Sequence, residues 1–354
     1  MARDIDLFAS IMIGEPFDVA EVSLVDVLSG LGSWTAVVSD PPWTLIAPAF
    51  PKPARVVVAG DMDLSALEAL AAVTDPGRTV VGIGGGAAMD TAKFLAWKHD
   101  KPLIQVPTIT SVDAAFTDAI GVRQDQRVRY IGKVTPRLVV LDLPLIRSAP
   151  PHLNRAGVGD VLSCHTGLFD WKLASDAGHG HPWRNDLAAL GTELLTGLEA
   201  AAEDIRRVSA DGVRFLAHAY RRIGAACAEA GHSRFEEGSE HFWAYAYEAQ
   251  TGVSQIHGEL IACGVVALSV VQDNAPDRAA DIVTRSGVRA HPADLGITEA
   301  QFRAALTGLA AYARTESLDI SVADLAPVTP DQIDAAWQAV CALPRRPHEP
   351  EPPQ

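Results

Sequence analysis

Along the first 150 residues the apolar positions fall into short β-branched runs separated by stretches of helical period. The runs Thr35–Ser39, Arg55–Ala59, Thr79–Ile83, Leu103–Val106 and Leu138–Leu141 read as strands, and Leu64–Val73 and Ala88–Trp97 as helices between them. Such alternation predicts a parallel sheet with helices on its faces. Beyond Ala149-Pro150-Pro151 the texture changes, and β-branched runs nearly vanish. Long Ala- and Leu-rich amphipathic segments follow at Asp186–Arg207, Gly212–Ala230, Ala249–Val271, Glu299–Ala313 and Pro330–Val340. The expected organisation is an α/β nucleotide-binding domain over 1–150 and an all-α domain over 151–343. A proline- and charge-rich tail over 344–354 is expected to be disordered.

Composition narrows the class. At 354 residues, 48% hydrophobic and 21% charged, the chain suits two packed globular domains. A net charge of −15 argues against nucleic acid, which needs a basic face, but leaves room for a small anionic ligand held by local groups. No apolar run reaches membrane-spanning length and the first 30 residues lack a secretory pattern, so no membrane partner and a cytoplasmic location are expected. Cys164, Cys227, Cys263 and Cys341 are scattered with no C-x-x-C pair, and read as reduced, buried, small apolar side chains.

Three stretches of the first domain carry candidate nucleotide chemistry. Thr79–Ile83 is a buried strand that runs into three glycines, Gly84, Gly85 and Gly86, and then a helix bearing Asp90 and Lys93. Glycines allow close approach of a pyrophosphate, and the open N–H groups of a helix start face an anion. The spacing is not G-x-G-x-x-G, and a tight strand-to-helix turn without a ligand is the plain alternative. Asp40 closes Val37-Val38-Ser39-Asp40, where a carboxylate can accept from a ribose and repel a 2′-phosphate, or be an ordinary turn residue. The strand at Leu103–Val106 ends in Thr108, Thr110, Ser111 and Asp113, a ligand-facing strand end or a capped turn.

The second domain offers Asp160 in AGVGDV, His241 in GSEHFW and His257 in IHGE. One carboxylate and two imidazoles suit a divalent first-row metal with an open position. No short spacing forces the three together. The rival cluster Gly178-His179-Gly180-His181-Pro182 reads as a solvated loop, and His99, His152, His165, His218 and His232 as surface or helix-end residues.

Taken in order, VVSD, GIGGGAAMDTAK, VPTITSVDA, AGVGDVLS, FDWKLA, GSEH and HGE resemble the glycerol dehydrogenases and glycerol-1-phosphate dehydrogenases of the iron-containing alcohol dehydrogenase superfamily. Residues 156–174 are most similar to the glycerol-1-phosphate dehydrogenase branch. The likeness spans about residues 30–340 and implies a dehydroquinate synthase-like fold, with the active site in a cleft between the two domains. It implies metal ligation by Asp160, His241 and His257, with zinc first and iron or nickel as alternatives. It also implies pyrophosphate contacts from Gly84, Gly85, Gly86, Ala87 and Ala88, nucleotide contacts from Thr108, Ser111 and Thr117, and a substrate-facing, catalytic Asp113. Asp40 matches the family's acid after an early strand and favours NAD, with NADP as the alternative.

Two departures bear on this. The proline-rich stretch from Asp40 to Arg55 is shorter than the helical segment of such relatives, which implies an abbreviated adenosine side. Tyr245 stands where the branch carries a second substrate-facing histidine, one helical turn past His241. Tyrosine stays neutral near pH 7, so the pocket is expected to bind phosphate less well or to prefer a larger polyol, sugar or cyclitol. Otherwise Tyr245 packs as core against Phe242 or Trp243. The expected function is metal-dependent, NAD(P)-linked oxidoreduction of a polyol, sugar or phosphorylated substrate by a homo-oligomer. The rivals are a dehydroquinate synthase-type cyclase or lyase that uses NAD catalytically, and a binding protein without catalysis.

Overall fold

The computed structural model describes residues 11–12, 17–40, 42–60, 62–124 and 127–346; positions 347–354 of the expected tail lie outside them. The chain divides into two compact units, Met1–Ala149 and Pro150–Gln354.

The first unit is α/β. Its strands are β1 (Ile11–Met12), β2 (Asp18–Glu21), β3 (Trp34–Val38), β4 (Arg55–Val58), β5 (Thr79–Gly84), β6 (Leu103–Pro107), β7 (Ala119–Gln124), β8 (Arg127–Lys133) and β9 (Leu138–Leu141). Seven form one sheet in the order β1-β2-β9-β6-β5-β3-β4, with every neighbouring pair parallel except β1–β2. Strands β7 and β8 make a separate antiparallel ribbon. Both faces of the inner strands β3, β5, β6 and β9 are covered, which is why they read as continuous apolar runs rather than alternating ones. Val37, Val57 and Val80 pack on one side with Leu67, Phe94 and Leu95. Ala36, Val38 and Val81 pack on the other with Leu24, Leu28 and Trp43.

All five expected strands are present within a residue at either end, and helices Leu64–Val73 and Gly86–His99 fall where the period places them. Short β2 and the ribbon β7–β8 had no legible run. The stretch after Asp40 does carry helix, but only Pro42–Ile46 and a following 3-10 turn, Ala47–Ala49.

The second unit is helical, and here two expected segments are broken. Ala249–Val271 is not continuous: Gly252, at φ 67°, ends helix Ser239–Thr251, and a new helix starts at His257. Glu299–Ala313 breaks at Gly308 between Glu299–Thr307 and Leu309–Glu316. Helix His257–Val271 is buried on nearly every side, the reason for its apolar sequence all round. The thiols also differ from expectation: Cys164 and Cys263 are buried, whereas Cys227 is half-buried and Cys341 exposed at a helix end. No described helix is long and apolar enough to cross a membrane.

Candidate active site

In the first unit the strand order reverses direction between β3 and β5: the chain leaves β3 for β4 on one side and leaves β5 for β6 on the other. The crevice outside the carboxyl ends of such a strand pair is where open parallel sheets bind ligands. Ser39 and Asp40 follow β3, and Gly85 and Gly86 follow β5. The Gly85 N–H donates to Ser39 Oγ at 3.3 Å. A β-carbon on Gly84 would collide with Ser39 Oγ and lie 2.8 Å from Ala88 Cβ, so only glycine lets these two strand ends meet. Gly86, Ala87 and Ala88 form the first turn of helix Gly86–His99, whose leading N–H groups are the unsatisfied donors of a helix start. Thr108 is tied to this turn, its N–H donating to the Gly84 carbonyl at 2.9 Å.

Asp40 is exposed, and its Oδ1 accepts from the backbone N–H and hydroxyl of Thr44 at 3.2 and 2.6 Å. It therefore caps the short helix after it and also stands at the crevice edge. Ser111 is nearly buried, and Asp113 opens a 3-10 turn, Asp113–Phe116. Thr117 accepts from Lys93 Nζ at 3.2 Å. Lys93 is fully buried; it also donates to the Ala119 carbonyl at 2.6 Å and pairs with Asp90 at 2.8 Å. It pins the β7–β8 ribbon to the nucleotide-side helix.

In the second unit Asp160, His241 and His257 come together, each offering a donor atom, and these atoms lie within 4.8 Å of one another. Asp160 sits in helix Val158–Leu162, His241 in the first turn of Ser239–Thr251, and His257 at the start of His257–Val271. His257 Nε2 lies 3.5 Å from Asp160 Oδ1, and the two imidazole centroids are 5.3 Å apart. Asp160 and His241 are buried while the His257 side chain is 36% exposed, so the set opens on one side.

The surroundings of these residues are acidic. His241 Nδ1 bonds Glu240 Oε1 at 2.8 Å, which leaves Nε2 as the ring's ligating nitrogen. Burial alone would lower the His241 pKa; the bond to Glu240 and the carboxylates of Glu240, Glu237 and Glu236 outweigh it and raise it to about 10. The Cys164 thiol is pushed up by burial and then by Glu236, Glu240 and Asp160. Glu240 is fully buried, and its Oε2 has no hydrogen-bond partner among the described residues. A converging carboxylate and two imidazoles within an excess of buried negative charge fit a divalent cation in donor type and in charge.

Behind the set, Asp170 accepts from the N–H groups of Ser239 and Val322, at 2.7 Å each. It thereby anchors the start of the His241 helix. Burial, followed by the charge of Glu240, raises the Asp170 carboxyl to about 6. Neither Glu240 nor Asp170 was singled out from sequence, because residues adjacent in a helix do not ordinarily face each other and Asp170 lies far along the chain. Tyr245 is buried; its ring lies 6.0 Å from that of His241, and its hydroxyl donates to Glu237 Oε1 at 2.8 Å.

The other histidines separate. His179 and His181 lie in the turn between two helices, and His181 stacks on His232 at 4.2 Å. His165, expected at the surface or at a helix end, lies in the first turn of helix Cys164–Asp176 but is buried, and it bonds the Asn274 carbonyl at 2.7 Å; burial lowers its pKa.

The first unit is thus a parallel sheet with a glycine turn at its switch point, and the helical unit carries an Asp-His-His set with the donor types of a metal site. Residues 50–150 match the family model described as iron-containing alcohol dehydrogenase. The chain is 29% identical over 323 residues to a glycerol-1-phosphate dehydrogenase [NAD(P)+] of Hyperthermus butylicus, covering 87% of this chain and 90% of that protein. It is 36% identical over 196 residues to the enzyme of the same description from Pyrobaculum neutrophilum, covering 54% and 57%. Its fold is similar to a crystal structure of a probable glycerol dehydrogenase from Sinorhizobium meliloti, with a TM-score of 0.68, 21% identity and coverage of 90% and 93%. The likeness to iron-containing alcohol dehydrogenases thus covers residues 50–150, and that to glycerol-1-phosphate dehydrogenases most of the chain.

Proposed function

We propose that this chain is a metal-dependent, NAD(P)-linked oxidoreductase that moves hydride between a carbinol carbon of a polyol, sugar or phosphorylated polyol and the nicotinamide ring. The observation that carries the reading is the convergence of Asp160, His241 and His257 from three separate helices, with donor atoms within 4.8 Å. These residues would hold the metal, zinc foremost, with Glu240 fixing the His241 tautomer so that Nε2 is the ligating atom. A bound divalent metal supplies Lewis-acid polarisation of a substrate oxygen.

The chain's own residues bind and orient. Gly84, Gly85, Gly86, Ala87 and Ala88 would cradle the pyrophosphate on the helix start, with Thr108, Ser111 and Thr117 as further nucleotide contacts. Asp40 would meet the adenosine ribose and favour NAD. Asp113 would orient a substrate hydroxyl or assist its proton, and Tyr245 would face the substrate beside His241. The assembly would be homo-oligomeric, which sedimentation checks.

The test is net turnover. Purified chain should reduce NAD or NADP with polyols or polyol phosphates, lose that activity to a chelator and recover it with zinc or ferrous ion. His257→Ala should stay folded and lose metal. Turnover indifferent to chelation would overturn the metal reading. Product formation with catalytic NAD and no accumulating NADH would instead identify a cyclase or lyase of the dehydroquinate synthase type.

A further inference from the structure

The carboxylate of Glu237 is placed by two hydroxyls. Its Oε1 accepts from Tyr245 and its Oε2 from Ser233 Oγ, at 2.8 and 2.6 Å. Tyr245 in turn lies with its ring 6.0 Å from His241, one helical turn along the same helix. Arg234, the nearest cation in sequence, spends its guanidinium on the carbonyls of Glu237 and Ile320 at 3.2 and 2.8 Å, and is buried. Glu236, buried beside Glu237, adds a further carboxylate whose charge reaches His241.

The chemistry of such a wall is one-sided. A phenol that donates its hydrogen bond to a carboxylate can offer a further ligand only oxygen lone pairs, and the carboxylate itself only accepts. Both favour a ligand rich in hydroxyl donors. A phosphoryl group offers only acceptors and about two negative charges near pH 7, and it would meet Glu237 and Glu236 with like charge. At intermediate dielectric, like-charge repulsion of this kind weakens binding by roughly tenfold or more.

We propose that Glu237 and Tyr245 form a hydroxyl-recognising specificity element beside the Asp160-His241-His257 set, which selects an unphosphorylated polyol over its phosphate ester. This rests on the oxidoreductase reading above and names its substrate class. It sets the chain apart from the relatives named for glycerol 1-phosphate.

The test compares dihydroxyacetone with dihydroxyacetone phosphate on the full-length, metal-loaded protein in two ways. One is kcat/KM with NADH; the other is the concentration at which each perturbs the visible spectrum of the cobalt(II)-loaded protein, which needs no turnover. The unphosphorylated ligand should be favoured at least about tenfold over the ester in both. Glu237→Gln keeps an acceptor for Tyr245 and removes the charge, and should narrow the preference about fivefold or more, chiefly by tightening the ester. Tyr245→Phe should instead raise KM for the unphosphorylated ligand. Preference for the ester, a ratio unmoved in both variants, or no spectral response to either ligand overturns the proposal. Spectral selectivity of the expected sense without nicotinamide-linked turnover would overturn the oxidoreductase reading and leave the specificity element standing.

Discussion

Gly159 lies against Gly258 so closely that a β-carbon on Gly159 would sit 2.6 Å from the Gly258 Cα and collide with its carbonyl. Each glycine adjoins a residue of the metal-ligand set, Asp160 on one side and His257 on the other. Their backbone contact is therefore what lets helix Val158–Leu162 bring its carboxylate to the start of helix His257–Val271. Gly159→Ala should push the two apart: overpacking of this kind costs about 1–3 kcal/mol. Metal content should fall further than the midpoint of urea unfolding suggests. Full zinc occupancy at unchanged stability would refute the packing argument.

Glu240 accepts from His241 Nδ1 at 2.8 Å and from the Gly238 N–H at 2.7 Å, so it sets both the ring's tautomer and the lead-in to its helix. Removing such a partner of a metal-bound imidazole typically weakens affinity 10–100-fold. Glu240→Ala should show a loss of about that size in competition with a chromophoric zinc chelator, and Glu240→Gln, which keeps an acceptor, a smaller one. Equal affinity in all three proteins would remove Glu240 from the site.

Asp170 is fully buried and its carboxyl is raised from 3.8 to about 6, first by burial and then by the charge of Glu240. A raised acid binds its proton more tightly in the folded than in the unfolded chain. Its contribution to stability is thus greatest below about pH 4 and is lost as pH climbs through 6, by roughly 3 kcal/mol in all. Asp170→Asn cannot titrate, so its unfolding midpoint should change less than that of the wild type between pH 4 and 7. Parallel profiles would show that Asp170 is already ionised throughout.

Asp40 is exposed at the end of β3 and across the crevice edge from Gly85, whose N–H bonds the neighbouring Ser39. Asp40→Ser keeps a cap for Thr44 and removes the charge that would face a 2′-phosphate. The ratio of kcat/KM for NADP over NAD should rise by about tenfold, in line with the loss of one nearby like charge. No change would place the adenosine elsewhere.

Much of the fold was legible along the chain because its causes are local. Buried parallel strands need β-branched residues on both faces, so β3, β5, β6 and β9 stand out as runs, and Leu64–Val73 shows its helical period. The ribbon strands are half-solvated and β2 is only four residues long, so β2, β7 and β8 did not stand out, whereas the edge strand β4 carries the run Val56–Val58 and did. The helix break at Gly252 depends on one left-handed backbone angle, which the periodicity of the flanking apolar positions does not report.

The glycine turn after β5 and the chemical identity of Asp160, His241 and His257 were likewise visible in the sequence, the latter joined into one set only by family resemblance. What tertiary structure alone decided is how those side chains meet and what stands behind them. The Gly159–Gly258 contact, the anchoring by Asp170 and the phenol of Tyr245 held on Glu237 join residues apart in sequence, and the bond between the neighbours Glu240 and His241 forms where both are buried. Period and propensity report only which face of an element is buried. The angle and distance at which two buried faces meet are set by packing between them, and with these the charge, opening and selectivity of the site.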